Sequence, residues 1–231
     1  MTDRPGDHNQ GAPELAAGDF STWLTEMQRA LRGERSSDVP CGTCTACCTA
    51  AQFIHIAPDE TDTLAHIPAE LLFPAPRLPP GNVLLGYNQH GHCPMLIDNR
   101  CSIYEHRPRT CRTYDCRVFP AAGLDLATDE DDTKVLIAQQ ARRWRFTTPT
   151  STDRAEFEAV RTAATYLQQN SAVLPPDLVP TNATQLAVAA VEVHRAFLLR
   201  HADTQELNVF PPAPDAVRVE LARNRTNRRV P

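Results

Sequence analysis

Apolar residues first recur at helical spacing in FSTWLTEMQRALRG, where Phe20, Trp23, Leu24, Met27 and Leu31 share one face. A helix is predicted there, with Gly33 as its stop. QFIHIA (52–57) and NVLLGY (82–87) read as short strands, and PDETDTLAHI (58–67) as a helix with Pro58 at its first position and acids in its first turn. Prolines are dense from Pro68 to Pro80, which predicts an irregular surface connection. CPMLIDNRCSIY (93–104) reads as a hairpin turning at Asp98-Asn99-Arg100, and RPRTCRTYDC opens a helical turn at Pro108. The rest is mainly helical. DEDDTKVLIAQQARR has an acidic start, with Asp129 to Asp132 as a helix-start acidic run or a site for a divalent ion. DRAEFEAVRTAATYLQQN aligns Phe157, Val160, Ala164 and Leu167, and TQLAVAAVEVHRAFLL aligns Leu186, Ala190, Val193 and Phe197.

The predicted fold is α+β and predominantly α-helical: an irregular cysteine-rich metal-binding core with a small β-hairpin, packed against C-terminal helices. Residues 1–12 read as a disordered tail, 13–212 as one domain, and 213–231 as a basic, frayed tail. The 231 residues are 42% hydrophobic, enough for one core, and carry a net charge of −5, which argues against polyanion binding by the whole molecule. Lys134 is the sole lysine. The arginines of ARRWRF (141–146) and of the tail form the basic stretches, and charge runs are usually solvated faces, so nucleic acid is not an expected partner. No apolar run is long enough for a membrane span, and the polar N-terminus lacks a signal-peptide core, so a cytoplasmic location is expected.

That location changes the reading of the cysteines. All eight lie between Cys41 and Cys116: Cys41, Cys44, Cys47 and Cys48 as C-x-x-C-x-x-C-C, then Cys93, Cys101, Cys111 and Cys116. In a reducing compartment, clustered thiols point to metal ligation over disulfides. Thiolates suit both zinc and iron–sulfur clusters. The C-x-x-C-x-x-C run and the Cys93-Pro94 step lean toward an iron–sulfur cluster, 4Fe-4S, and the divisibility of eight thiols into two sets of four leans toward zinc. The adjacent pair leaves a choice open. In a helix Cys41, Cys44 and Cys48 share a face; in a loop Cys41, Cys44 and Cys47 are the natural set, and the remaining thiol serves a second centre or is buried. Five arginines between Asp98 and Arg117 could offset thiolate charge, with Arg107 and Arg112 as the cofactor-binding candidates. His55, His90, His92 and His106 stand nearby and read as surface histidines, His92 being the best substitute ligand.

CGTCTACC at 41–48 and CPMLIDNRCSIYEHRPRTCRTYDC at 93–116 resemble the CxxCxxCC cysteine-cluster proteins, the YkgJ-like family described as a zinc- or iron-chelating domain. The second segment carries the Cys-Pro step, C-x-I-Y-E-x-R-P and C-R-x-Y-x-C. The resemblance implies metal or iron–sulfur binding through these cysteines. It also brings in a flagellin lysine methylase with a four-iron cluster, which leaves open whether the chain is an enzyme. No nucleotide-binding glycine loop, G-x-S-x-G, H-E-x-x-H or P-loop is present. Three functions follow: a cytosolic iron–sulfur protein with a redox partner, a structural zinc-binding module whose helical half contacts a protein or nucleic acid, and an enzyme of the methylase branch.

Overall fold

The computed structural model describes residues 12–37, 39, 41–126, 134–204 and 206–227. The run Asp129 to Asp132 lies outside them.

Strand β1 (Leu15–Asp19) leads into helix α1 (Phe20–Leu31), which buries Phe20, Trp23, Leu24, Met27 and Ala30, the expected face. Gly33 ends it in a left-handed conformation at φ 71°, its N–H donating to the Ala30 carbonyl at 2.9 Å. The cysteine run follows, with a 3-10 turn at Ala46–Thr49. Next come β2 (Ile54–Ile56), α2 (Thr61–Ala65), β3 (Leu72–Pro74) and β4 (Val83–Leu85). Strands β2 and β3 flank β4 in an antiparallel sheet.

The helix expected from Pro58 starts three residues later, because the Glu60 carboxylate turns back to accept from the Ala57 N–H at 3.0 Å and holds 57–60 as a turn. The proline-rich span contains a strand, β3, which the proline count obscured: its N–H groups are needed on one side only. The hairpin forms as expected between β5 (Leu96–Ile97) and β6 (Arg100–Cys101). Its two turn residues, Asp98 and Asn99, have φ of 48° and 58°, the left-handed pair that a tight hairpin requires.

Helices α3 (Arg109–Thr113), α4 (Val118–Ala122) and α5 (Val135–Ala141) lead to strand β7 (Trp144–Thr147). Helices α6 (Ser151–Gln169) and α7 (Ala183–Val193), hairpin β8 (Leu198–Arg200)–β9 (Leu207–Val209) and α8 (Pro214–Asn227) complete the chain. The expected frayed tail is a helix over 214–227: Val217 and Leu221, one turn apart, are buried in the helical core. The expected basic stretch at 141–146 is likewise structural. Strand β7 pairs in parallel with β1, Trp144 opposite Leu15, and Trp144 is buried.

Two apolar bodies result. The larger one unites α1 and α4–α8, with Phe20, Phe119, Ile137, Val160, Val191 and Phe197 at its centre. The smaller one, Ile56, Ile67, Leu85, Met95 and Ile103, lies between the three-stranded sheet and the β5–β6 hairpin.

One carboxylate joins the starts of two helices. Asp153 and Thr150 form a reciprocal capping box at the start of α6, with Asp153 N–H donating to Thr150 Oγ1 at 3.0 Å and Thr150 N–H to Asp153 Oδ2 at 3.0 Å. The other Asp153 oxygen accepts from the Ser21 N–H of α1 at 2.9 Å. Burial opposes ionisation of this carboxyl, yet hydrogen bonds from Thr150 and Ser21 overcome it and hold the group down at about 2. A lowered native value stabilises the fold above the unfolded carboxyl range of about 4, and that contribution disappears as pH falls toward 2. Asp153→Ala is expected to cost about 2–3 kcal/mol, from the lost cap and the stranded Ser21 N–H. Chemical denaturation should also show a shallower loss of stability in acid than for the wild type; an equally steep acid limb would contradict this role.

Candidate metal centre

All eight cysteines line one cavity of about 650 Å³. The cavity lies at the seam of the two apolar bodies: Ile54, Leu85, Met95 and Ile103 close it from the smaller one, Ala46, Ile137 and Trp144 from the larger. The thiols are free, and Cys116 is buried.

Local structure explains the convergence. In the C-x-x-C turn the Cys44 N–H donates to the Cys41 carbonyl at 2.9 Å. Ahead of the hairpin, the Cys93 N–H donates to the Cys48 carbonyl at 2.7 Å, and the Ala51 N–H to the Gly91 carbonyl at 2.8 Å. These bonds stitch the two cysteine segments together. Thr110 Oγ1 donates to the His55 carbonyl at 2.8 Å, tying α3 and its Cys111 to β2. Cys116 sits between α3 and α4, where the Trp144 indole N–H donates to its Sγ at 3.3 Å.

The neighbours of Cys116 form a buried polar knot. Asp115 accepts from the Trp23 indole at 2.9 Å, from Ser37 Oγ at 3.1 Å and from the Arg117 guanidinium at 2.8 Å. Asp115 and Arg117 are 2% and 7% exposed, so this is a buried ion pair whose remaining polar atoms have to be satisfied locally. Trp144 and Asp115 went unrecognised as site residues in the sequence. The opposite charges flanking Cys116 in the Asp-Cys-Arg triplet were the available signal for Asp115. Trp144 had none, being brought in by β7 from outside the cysteine region.

Burial sets the chemistry of the thiols. It pushes Cys48, Cys111 and Cys116 up to about 12, reinforced by neighbouring thiols and opposed at Cys116 by the Trp144 hydrogen bond. Cys41 and Cys93 are also raised by burial. Cys47 retains solvent exposure as a residue, yet the protein packed around its sulfur, and then Cys116, Cys41, Cys48 and Cys44, raise it well above the usual thiol range. Such groups stay protonated near neutrality unless a cation compensates the thiolate charge, which is what a bound metal does. The donor set therefore fits a thiophilic metal.

Arg107 lines the cavity, half-buried; its guanidinium stacks 3.6 Å from the Tyr104 ring centroid, and its charge favours ionisation of Cys41 and Cys111. Arg112 is placed elsewhere: it pairs with Glu60 at 3.9 Å and is absent from the cavity lining. None of the four histidines lines the cavity either; His55 bonds Asn82 at 2.9 Å and His106 bonds Asp62 at 2.8 Å.

Among the described residues, one trio of Cys, His, Asp or Glu side chains has ligand atoms within 4.8 Å of one another: Asp62, His66 and His106. Its imidazoles are stacked at 3.5 Å and 6°. An imidazole lone pair lies in its own ring plane, so two parallel rings cannot direct lone pairs at one ion. Both Nδ1 atoms are moreover engaged with Asp62, by its backbone carbonyl and its carboxylate. The trio is a polar contact between α2 and the turn before α3.

Asp115→Ala breaks the buried pair with Arg117 and strands the Trp23 indole N–H, and is expected to cost about 3–5 kcal/mol, a melting-temperature loss on the order of 10 °C. Trp144→Phe keeps the ring and removes the donor to Cys116, and is expected to cost about 1 kcal/mol. A neutral Asp115→Ala by thermal denaturation would contradict the knot's role in seating Cys116.

Comparison with known proteins bears on this cavity. No curated protein and no solved structure gives a significant match. Residues 40–140 match the CxxCxxCC family model, described as "Putative zinc- or iron-chelating domain". The match covers under half of the chain and contains every cysteine, while α1, β7 and α6–α8 lie outside it. Residues 40–140 are thus similar to the CxxCxxCC family, whose description is zinc- or iron-chelating and whose cysteine array they carry.

Proposed function

We propose that this chain is an iron–sulfur protein whose cysteines hold a cluster at the seam of the fold, and that it serves in electron transfer or redox sensing. The observation that carries this reading is the spread of eight thiols around one cavity. Cys41, Cys44 and Cys47 have the C-x-x-C-x-x-C spacing of cluster ligands, and a cavity of about 650 Å³ leaves room among the thiols for the irons and sulfides of a cluster.

When bound, such a group supplies one-electron redox chemistry. The residues of the chain do the rest. The apolar walls exclude water and lower the local dielectric, which strengthens every charge interaction at the sulfurs. Trp144 donates to Cys116 and favours its thiolate. Arg107 places a cation beside Cys41 and Cys111. The reading assumes a reducing compartment, in keeping with eight free thiols.

The zinc reading retains one specific support: the thiols come from both apolar bodies, so a structural ion there would cross-link them. Anaerobic purification separates the two. A brown protein with iron and acid-labile sulfide is expected, and a colourless, air-stable protein holding zinc alone would overturn the cluster. Cys44→Ser and Cys101→Ser are each expected to lower metal content and melting temperature; unchanged values in both would exclude these cysteines as ligands. Loading the metal-free protein should also release protons, because the raised thiols must ionise to bind.

A further inference from the structure

We infer that the eight cysteines are two sets of four, Cys41, Cys44, Cys47 and Cys116 on one side and Cys48, Cys93, Cys101 and Cys111 on the other, each holding its own metal centre. The inference rests on the reading of the thiols as metal ligands and adds how many centres there are and which sulfur belongs to which.

The packing divides the cysteines first. Cys44 and Cys116 belong to the larger apolar body, Cys93 and Cys101 to the smaller one. The chain then extends each pair. Cys41 joins Cys44 through the C-x-x-C turn. Cys48 joins the second pair through the 2.7 Å hydrogen bond from the Cys93 N–H, and Cys101 stands on β6, directly opposite Leu96 of β5. Cys111 is fastened to β2, whose sheet contributes Ile56 and Leu85 to the smaller body.

The adjacent pair decides the matter. Cys47 and Cys48 both lie in the 3-10 turn Ala46–Thr49. With three residues per turn, consecutive side chains leave such a turn about 120° apart, so the two sulfurs diverge. The turn is thus a divider, one sulfur to each side.

The test is the metal content of full-length protein purified anaerobically, for wild type and three variants: Cys41→Ser with Cys44→Ser, Cys93→Ser with Cys101→Ser, and all four together. Each double variant is expected to keep half of the wild-type metal, and the quadruple variant none. The neighbours supply a sharper form. Cys47→Ser should remove no further metal from the first double variant and all remaining metal from the second; Cys48→Ser should do the reverse. If either double variant loses all metal while its circular dichroism stays native, or keeps all of it, the division is wrong although the chain binds metal. Wild-type protein without zinc or iron overturns the metal-binding reading itself, and the division with it. Should a double variant fail to fold, Co²⁺ titration of the metal-free wild type decides. Thiolate-to-cobalt absorption rising to two equivalents supports two sets, and saturation at one overturns them.

Discussion

Thiols confined among apolar side chains are the constraint on which the architecture depends. A buried sulfur cannot carry charge without a cation beside it, and Cys48, Cys111 and Cys116, whose thiols burial pushes up, share one cavity with the other five cysteines. Burial therefore holds these thiols protonated until an ion binds, and favours ions that bind sulfur strongly enough to displace protons. The two apolar bodies meet at these sulfurs, so the binding chemistry and the joining of the fold occupy one place.

What keeps the cavity in register is polar and comes largely from outside it. The Asp115–Arg117 pair is anchored by Trp23 of α1 and fixes the chain on either side of Cys116. Trp144, on β7, reaches the sulfur of Cys116 directly. Helices α6 and α7 contact no cysteine through any hydrogen bond described above. They complete the apolar body against which α1, α4 and β7 are seated. The helical half acts on the site by holding those elements still.

Much of this was legible in the sequence because it is local. The α1 stripe, the Gly33 stop, the Asp98-Asn99 turn and the clustering of thiols depend on neighbours a few positions away. The parallel pairing of β1 with β7 depends on a partner well over a hundred residues distant, and LAAGD has no strand-like alternation to announce it. The α8 segment looked frayed because its apolar residues are few; two of them, Val217 and Leu221, suffice once a hydrophobic surface is there to receive them. At the site, the cysteines were visible as a set, but their grouping was not, since it depends on the turn type at 46–49 and on which apolar body each segment joins. Arg107 and Arg112 looked alike in sequence and differ in the structure because α3 turns Arg112 toward Glu60.

The β1–β7 ladder bears on where this protein can be cut. Its first strand lies before the cysteine-rich stretch and its second after it, so the ladder closes around that stretch like a clasp. The stretch that matches the family model therefore takes in neither strand of the ladder. A fragment limited to residues 40–140 would lack both strands, the Trp23 anchor and the indole over Cys116, and would keep every thiol while losing Trp144 from the cavity wall.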